Sequence, residues 1–133
     1  MKLHHVGIVV KNIEESFGEI AKFLQFNETT LPIEVKSQNV NVCFLKTSDV
    51  YLELIEPISN KSPVKKFSEI GGGFHHLCFE VEDVKKEIKR MEKDGARVIV
   101  EPTIGFEGRI IAFLLLNMKN TNCNLIELAG KKQ

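Results

Sequence analysis

Leu3-His4-His5-Val6-Gly7-Ile8-Val9-Val10-Lys11-Asn12-Ile13 returns later in the chain as Phe74-His75-His76-Leu77-Cys78-Phe79-Glu80-Val81-Glu82-Asp83-Val84. Both copies run through His-His, alternating apolar residues, a helix-capping Asn or Asp, and a β-branched residue. Self-similarity at a fixed spacing marks a duplicated supersecondary unit. The ends of the two halves correspond as well. Tyr51-Leu52-Glu53-Leu54-Ile55-Glu56 and Asn124-Leu125-Ile126-Glu127-Leu128-Ala129 each place an acid before a Leu. The histidines lie 71 positions apart and these acids 74, so the difference is a change in loop length.

Outward from each copy the pattern reads strand, helix, then further strands. Residues 3 to 10 alternate as a half-buried strand. Asn12, with Glu15 three residues on, caps a helix whose stripe is Ile13, Phe17, Ile20, Ala21 and Leu24. In the second copy Asp83 is the cap, Val84, Ile88 and Met91 the stripe, and Gly95 the stop. Strands are expected at about 31 to 36, 40 to 47 and 49 to 56, then 96 to 101, 109 to 116 and 123 to 129. The fold is therefore α+β: two tandem βαβββ modules, about 3–56 and 74–129, forming a curved mixed sheet with helices on its outer face. The linker 57–73 starts a short helix near Ser62-Pro63 and ends in Gly71-Gly72-Gly73. The breaker-rich segment 102–108 is expected to be a mobile loop beside a site.

Composition fits a single domain. The chain has 133 residues, 43% of them apolar, with 18 Lys plus Arg against 18 Asp plus Glu. A chain of this length buries roughly two-thirds of its unfolded surface, enough to fold without staples. A formal net charge of zero argues against a polyanion such as nucleic acid as partner. The longest apolar run, Ile110 to Leu116, is far short of the ~20 residues that span a bilayer, so no membrane partner is expected. The N-terminus enters a strand without an apolar signal core, which predicts a cytoplasmic address. Cys43, Cys78 and Cys123 are widely spaced with no CxxC, and read as small apolar side chains rather than a disulfide or thiolate framework.

Strand alternation sorts the polar residues by face. His5 is out of phase with Val6, Ile8 and Val10, and His76 with Leu77, Phe79 and Val81. Glu53 is out of phase with Leu52 and Leu54, and Glu127 with Ile126 and Leu128. All four are expected on one uncovered face, away from the helices. Two His and two Glu make an N2O2 donor set that suits a divalent transition metal. A single strand His is more often a hydrogen-bonded structural residue, and only the repetition in register raises this pair above that reading. His4 and His75 fall on the helix side or the sheet edge. Glu56 and Glu80 read as solvated strand-end carboxylates, and the runs Lys85-Lys86, Lys89-Arg90 and Lys131-Lys132 as solvated faces.

Taken with Leu52-Glu53-Leu54-Ile55-Glu56-Pro57-Ile58, Ser62-Pro63-Val64-Lys65-Lys66-Phe67, Gly71-Gly72-Gly73 and Ile111-Ala112-Phe113, the sequence from Leu3 to Leu128 resembles the vicinal oxygen chelate (glyoxalase/bleomycin resistance/dioxygenase) superfamily. Within it the likeness is first to methylmalonyl-CoA epimerases and next to glyoxalase I. The resemblance implies a metal-dependent isomerase or lyase in which His5, Glu53, His76 and Glu127 hold one divalent ion per site: Co, Ni, Mn or Zn. It implies proton transfer alpha to a carbonyl through an enolate, with Glu127 as base and Glu53 as acid or base on the other side. The first expected reaction is epimerisation of methylmalonyl-CoA or a related 2-carboxyacyl-CoA, with Arg109, Lys119, Lys65 and Lys66 at the thioester's phosphates. The alternatives are a glyoxalase I acting on a thiol hemithioacetal, which Phe106-Glu107-Gly108-Arg109 fits at least as well, and a metal-free small-molecule binding or resistance protein, against which the four ligands count. A homodimer is also implied. Some epimerases carry a second catalytic Glu in the middle strand of the first module, where this chain has Val42.

Overall fold

The computed structural model describes residues 1–133, with nine strands and three helices in an α+β arrangement of mixed strand direction. The chain groups into two compact units, one of His5–His75 and one of Met1–His4 with His76–Gln133.

In the unit His5–His75, β1 (Lys2–Val9) leads through the Asn12 cap into α1 (Ile13–Ile20). The Asn12 Oδ1 accepts the backbone N–H of Glu15 at 2.8 Å, as its position in the sequence predicts. The strands β2 (Glu28–Thr29), β3 (Ile33–Val35), β4 (Val40–Lys46) and β5 (Tyr51–Pro57) follow. β1 pairs parallel with β5, β5 antiparallel with β4, and β2 and β3 both antiparallel with β4. The helix-side core is Ile13, Cys43, Leu45 and Leu54, with Ile8, Val10, Phe17 and Leu52 packed on it. α2 (Lys65–Glu69) lies in the expected linker helix position. Gly72 then has φ +61, and a Cβ there would stand 2.2 Å from the Val9 carbonyl oxygen, so the glycine run is a steric requirement of this turn.

Two expectations for this unit need correction. Of the strand expected at 31 to 36 only Ile33–Val35 is strand, β2 is a separate piece before it at Glu28–Thr29, and a 3-10 turn takes Lys36–Gln38. Pro32 stands between the two pieces, and without an N–H it cannot continue a ladder. The helix stripe stops early too: α1 ends at Ile20, Leu24 is 51% exposed, and Phe26 packs on the core instead. Beyond Ile20 one loosened turn follows, with the Lys22 N–H donating to Glu19 and the Phe23 and Leu24 N–H groups both donating to the Ile20 carbonyl, before the Asn27 N–H donates to the Lys46 carbonyl at 2.9 Å and opens β2.

The second unit repeats the plan. β6 (Gly73–Val81) leads through Asp83, whose Oδ1 accepts the Lys86 N–H at 3.0 Å, into α3 (Val84–Lys93). Gly95 follows at φ +98. β7 (Arg97–Ile104), β8 (Ile110–Leu115) and β9 (Leu125–Gly130) complete it, with β6 parallel to β9 and the other pairs antiparallel. Val84, Ile88, Ala112, Leu114, Ile126 and Leu128 are buried together beneath the helix. The expected loop at 102–108 is mostly ordered structure. β7 runs through Pro102 to Ile104, with register shifts between Val98 and Val100 and between Val100 and Thr103, the second spanning Pro102, and Phe106–Gly108 form a 3-10 turn pinned by the buried Phe106 ring. Proline is tolerated at such an irregularity because no ladder hydrogen bond is asked of it.

Candidate functional site

Each unit sets one histidine against one glutamate by the same construction. In the first, the parallel register of β1 and β5 places Gly7 opposite Glu53, and His5 lies two residues back on the same face. In the second, β6 and β9 place Cys78 opposite Glu127, with His76 two residues back. His5 Nε2 is 3.3 Å from Glu53 Oε1, and His76 Nε2 is 3.0 Å from Glu127 Oε2. The pairing the repeat predicts is thus present in both halves.

The face is not uncovered, however. His5 and His76 are 0% and 1% exposed, and both glutamates 4%. Within each unit aromatic side chains help close it. Phe44 lies edge-on to His5 with centroids 5.4 Å apart, and Phe113 edge-on to His76 at 5.2 Å. Sequence reasoning missed these rings, because Phe in an apolar strand reads as core; only cross-strand register reveals their place. A buried carboxylate is costly unless something of opposite charge or donor character meets it. In each unit a carboxylate meets an imidazole in dry surroundings, and both offer ligand atoms of the type that suits a divalent transition metal.

The remaining candidates separate. His4 and His75 go elsewhere, as the alternation predicts: His4 packs against Phe106 at 5.2 Å and His75 against Phe67 of α2 at 5.9 Å. Arg109, expected at substrate phosphates, is instead 8% exposed and committed within its own unit. Its Nη1 donates to Glu80 Oε2 at 2.7 Å and to the Gly130 carbonyl at 3.1 Å, and its guanidinium lies 5.3 Å from the Phe106 ring centroid. Nothing in the spacing of Arg109 and Glu80 signals this, since β6 and the end of the 105–108 turn meet only in the folded unit. Glu80 is accordingly not a solvated strand end; the Arg109 hydrogen bond holds its carboxyl below the usual value. Burial pushes Glu107 up, but the Lys132 hydrogen bond and the charges of Arg109 and Lys132 outweigh it and hold that carboxyl low. Glu56 is also engaged, accepting the Ile13 N–H at 3.3 Å and the Asn41 amide at 3.4 Å. Lys65 pairs with Glu69 at 3.7 Å, while Lys66 and Lys119 are exposed. Cys43 and Cys78 pack inside as expected, and burial pushes the Cys43 thiol up to about 11. Val42 is buried on β4, paired with Ile55, and offers no acid–base group.

A sequence profile of the glyoxalase/bleomycin resistance protein/dioxygenase superfamily matches residues 4–113. The chain belongs to that superfamily. An ethylmalonyl-CoA/methylmalonyl-CoA epimerase of Cereibacter sphaeroides is 34% identical over 131 residues, 96% of each chain. The mitochondrial methylmalonyl-CoA epimerase of Dictyostelium discoideum is 32% identical over 133 residues, 98% of this chain and 78% of that one. A variant of the Streptomyces coelicolor methylmalonyl-CoA epimerase, solved in complex with 2-nitronate-propionyl-CoA, matches with a TM-score of 0.83 at 28% identity, covering 100% of this chain and 99% of that one. Within the superfamily the likeness is to methylmalonyl-CoA epimerases, as the sequence motifs suggested.

Proposed function

We propose that this member of the glyoxalase superfamily is a metal-dependent epimerase of methylmalonyl-CoA or a related 2-carboxyacyl-CoA. The observation that carries the reading is the buried His–Glu pair made twice by the same strand register, in a chain whose relatives at 32–34% identity are named epimerases. His5, Glu53, His76 and Glu127 would together hold one divalent ion, Co, Ni, Mn or Zn, through two imidazole nitrogens and two carboxyl oxygens. Bound there, the ion would supply Lewis-acid stabilisation of negative charge on the substrate's carbonyl oxygen.

The chain's own groups handle the proton. Glu127 takes the proton from the carbon next to the thioester carbonyl; the C–H bond breaks and its electron pair becomes the enolate. Glu53, the only other carboxyl among the four, enters this direction of turnover protonated and delivers that proton to the opposite face, so that the two glutamates exchange states and the reverse reaction restores them; Val42 offers no acid–base group at its position on β4. Burial of all four side chains keeps bulk water from quenching the carbanion. Lys66 and Lys119, both exposed, are the cations this reading leaves for the substrate's phosphates. The functional unit is a homodimer.

The test is metal-free protein reconstituted with each of the four metals and given methylmalonyl-CoA in heavy water. Deuterium entering the acidic carbon, with conversion of one epimer to the other, is expected for at least one metal. Absence of both with every metal overturns the reading, and turnover of a thiol hemithioacetal instead reassigns the substrate.

A further inference from the structure

The two His–Glu pairs share a third member. Across the antiparallel β4–β5 ladder the partner of Glu53 is Phe44, and across β8–β9 the partner of Glu127 is Phe113. Each ring stands at a steep angle to the imidazole of its own unit, 65° for Phe44 on His5 and 81° for Phe113 on His76. Both are buried, at 5% and 8% exposure. Phe44 is braced in turn by Tyr51, whose ring meets it at 79° with centroids 5.7 Å apart. Phe44 and Phe113 are 69 positions apart, neither the 71 of the histidines nor the 74 of the glutamates, so this likeness lies in the pairing and is not visible in the sequence repeat.

The torsion that sets an imidazole plane is broad and roughly two-fold, so packing must choose the orientation. The choice matters chemically: a half-turn about Cβ–Cγ puts a carbon where Nε2 was, and a carbon neither faces a carboxylate usefully nor ligates. A ring held edge-on excludes most intermediate angles.

We propose that Phe44 and Phe113 are positioning residues that fix the planes of His5 and His76 with Nε2 toward Glu53 and Glu127, and so raise the chain's affinity for a divalent metal before any substrate is present. The inference rests on the reading of those four residues as ligands. Phe44→Leu and Phe113→Leu keep apolar bulk and remove the ring; Phe44→Tyr and Phe113→Tyr keep the ring. Dissociation constants for Co2+ and Ni2+ by chelator competition, with the melting temperature of each metal-free variant, separate orientation from packing. Each Leu variant should bind about two- to tenfold more weakly, the range an aromatic pair supplies, and each Tyr variant within about twofold of the parent. Leu variants that melt lower but bind like the parent would reduce the rings to core packing and overturn the proposal, as would Tyr variants as weak as Leu. Should Phe113→Leu not fold, the Phe44 pair decides. A parent that takes up no metal defeats the ligand reading and this inference with it, whereas a parent that binds alongside unaffected variants defeats this inference alone.

Discussion

Successive side chains on β1 and β6 point to opposite faces, so His4 and His75 meet Phe106 and Phe67 while His5 and His76 turn inward to Glu53 and Glu127. That one-residue difference is directly testable. His5→Ala and His76→Ala should each abolish tight metal uptake measured by elemental analysis, and His4→Ala and His75→Ala should retain about one ion per site; the reverse pattern would mean the ligand assignment is wrong. At Glu127 the expected signature is kinetic. Glu127→Gln keeps an oxygen able to ligate but loses the group that accepts the proton, so turnover and solvent deuterium exchange should fall together by roughly 10² to 10⁴ while metal content is largely kept. Exchange that survives in Glu127→Gln and vanishes in Glu53→Gln would transfer the base to β5. The thiols differ by depth in the same way: with its pKa pushed up to about 11 by burial, Cys43 should stay silent to a disulfide reagent at pH 8 in the native protein, as should the fully buried Cys78, and the half-buried Cys123 should react first.

Among the elements, the caps and the strap at 105–109 carry separable shares of stability. Asn12 and Asp83 each satisfy an orphan N–H of the following helix, so Asn12→Ala and Asp83→Ala should each cost about 1 kcal/mol in denaturant unfolding. The strap is tied by Arg109 to Glu80 and Gly130, and by Glu107 to Lys132 at 2.7 Å. Both carboxyls are held below their ordinary value of 4.5, so the stability they contribute is complete above that pH and is lost as the pH falls through their lower folded values. Stability followed against pH should therefore decline below about 4.5, and Glu80→Gln should flatten that decline; an unchanged acid slope would show that the Arg109 pair is not coupled to folding. The proline-split strand and the shortened α1 belong to this scale too. Periodicity located the strand and the helix but not their ends; in the strand, Pro32 has no N–H to offer the β4 ladder.

For the molecule as a whole, an ion that binds the folded chain and not the unfolded one stabilises it by mass action, about 2.7 kcal/mol at a hundredfold excess over the dissociation constant. Chelation should accordingly lower the melting temperature and remove activity, both recovering on addition of the preferred metal, and sedimentation should give a homodimer. The α+β class, the two caps, the strand–helix–strand repeat and the facing of His5 to Glu53 and of His76 to Glu127 could all be read from the chain, because a strand's two-residue period and a repeat's fixed spacing are local or self-referential signals that survive without coordinates. The burial of those four residues, the rings of Phe44 and Phe113 beside them, and the withdrawal of Arg109 from solvent to Glu80 could not. Each depends on which strand lies next to which and in what register, and register is settled by the packing of distant segments rather than by any property of the residues that it brings together.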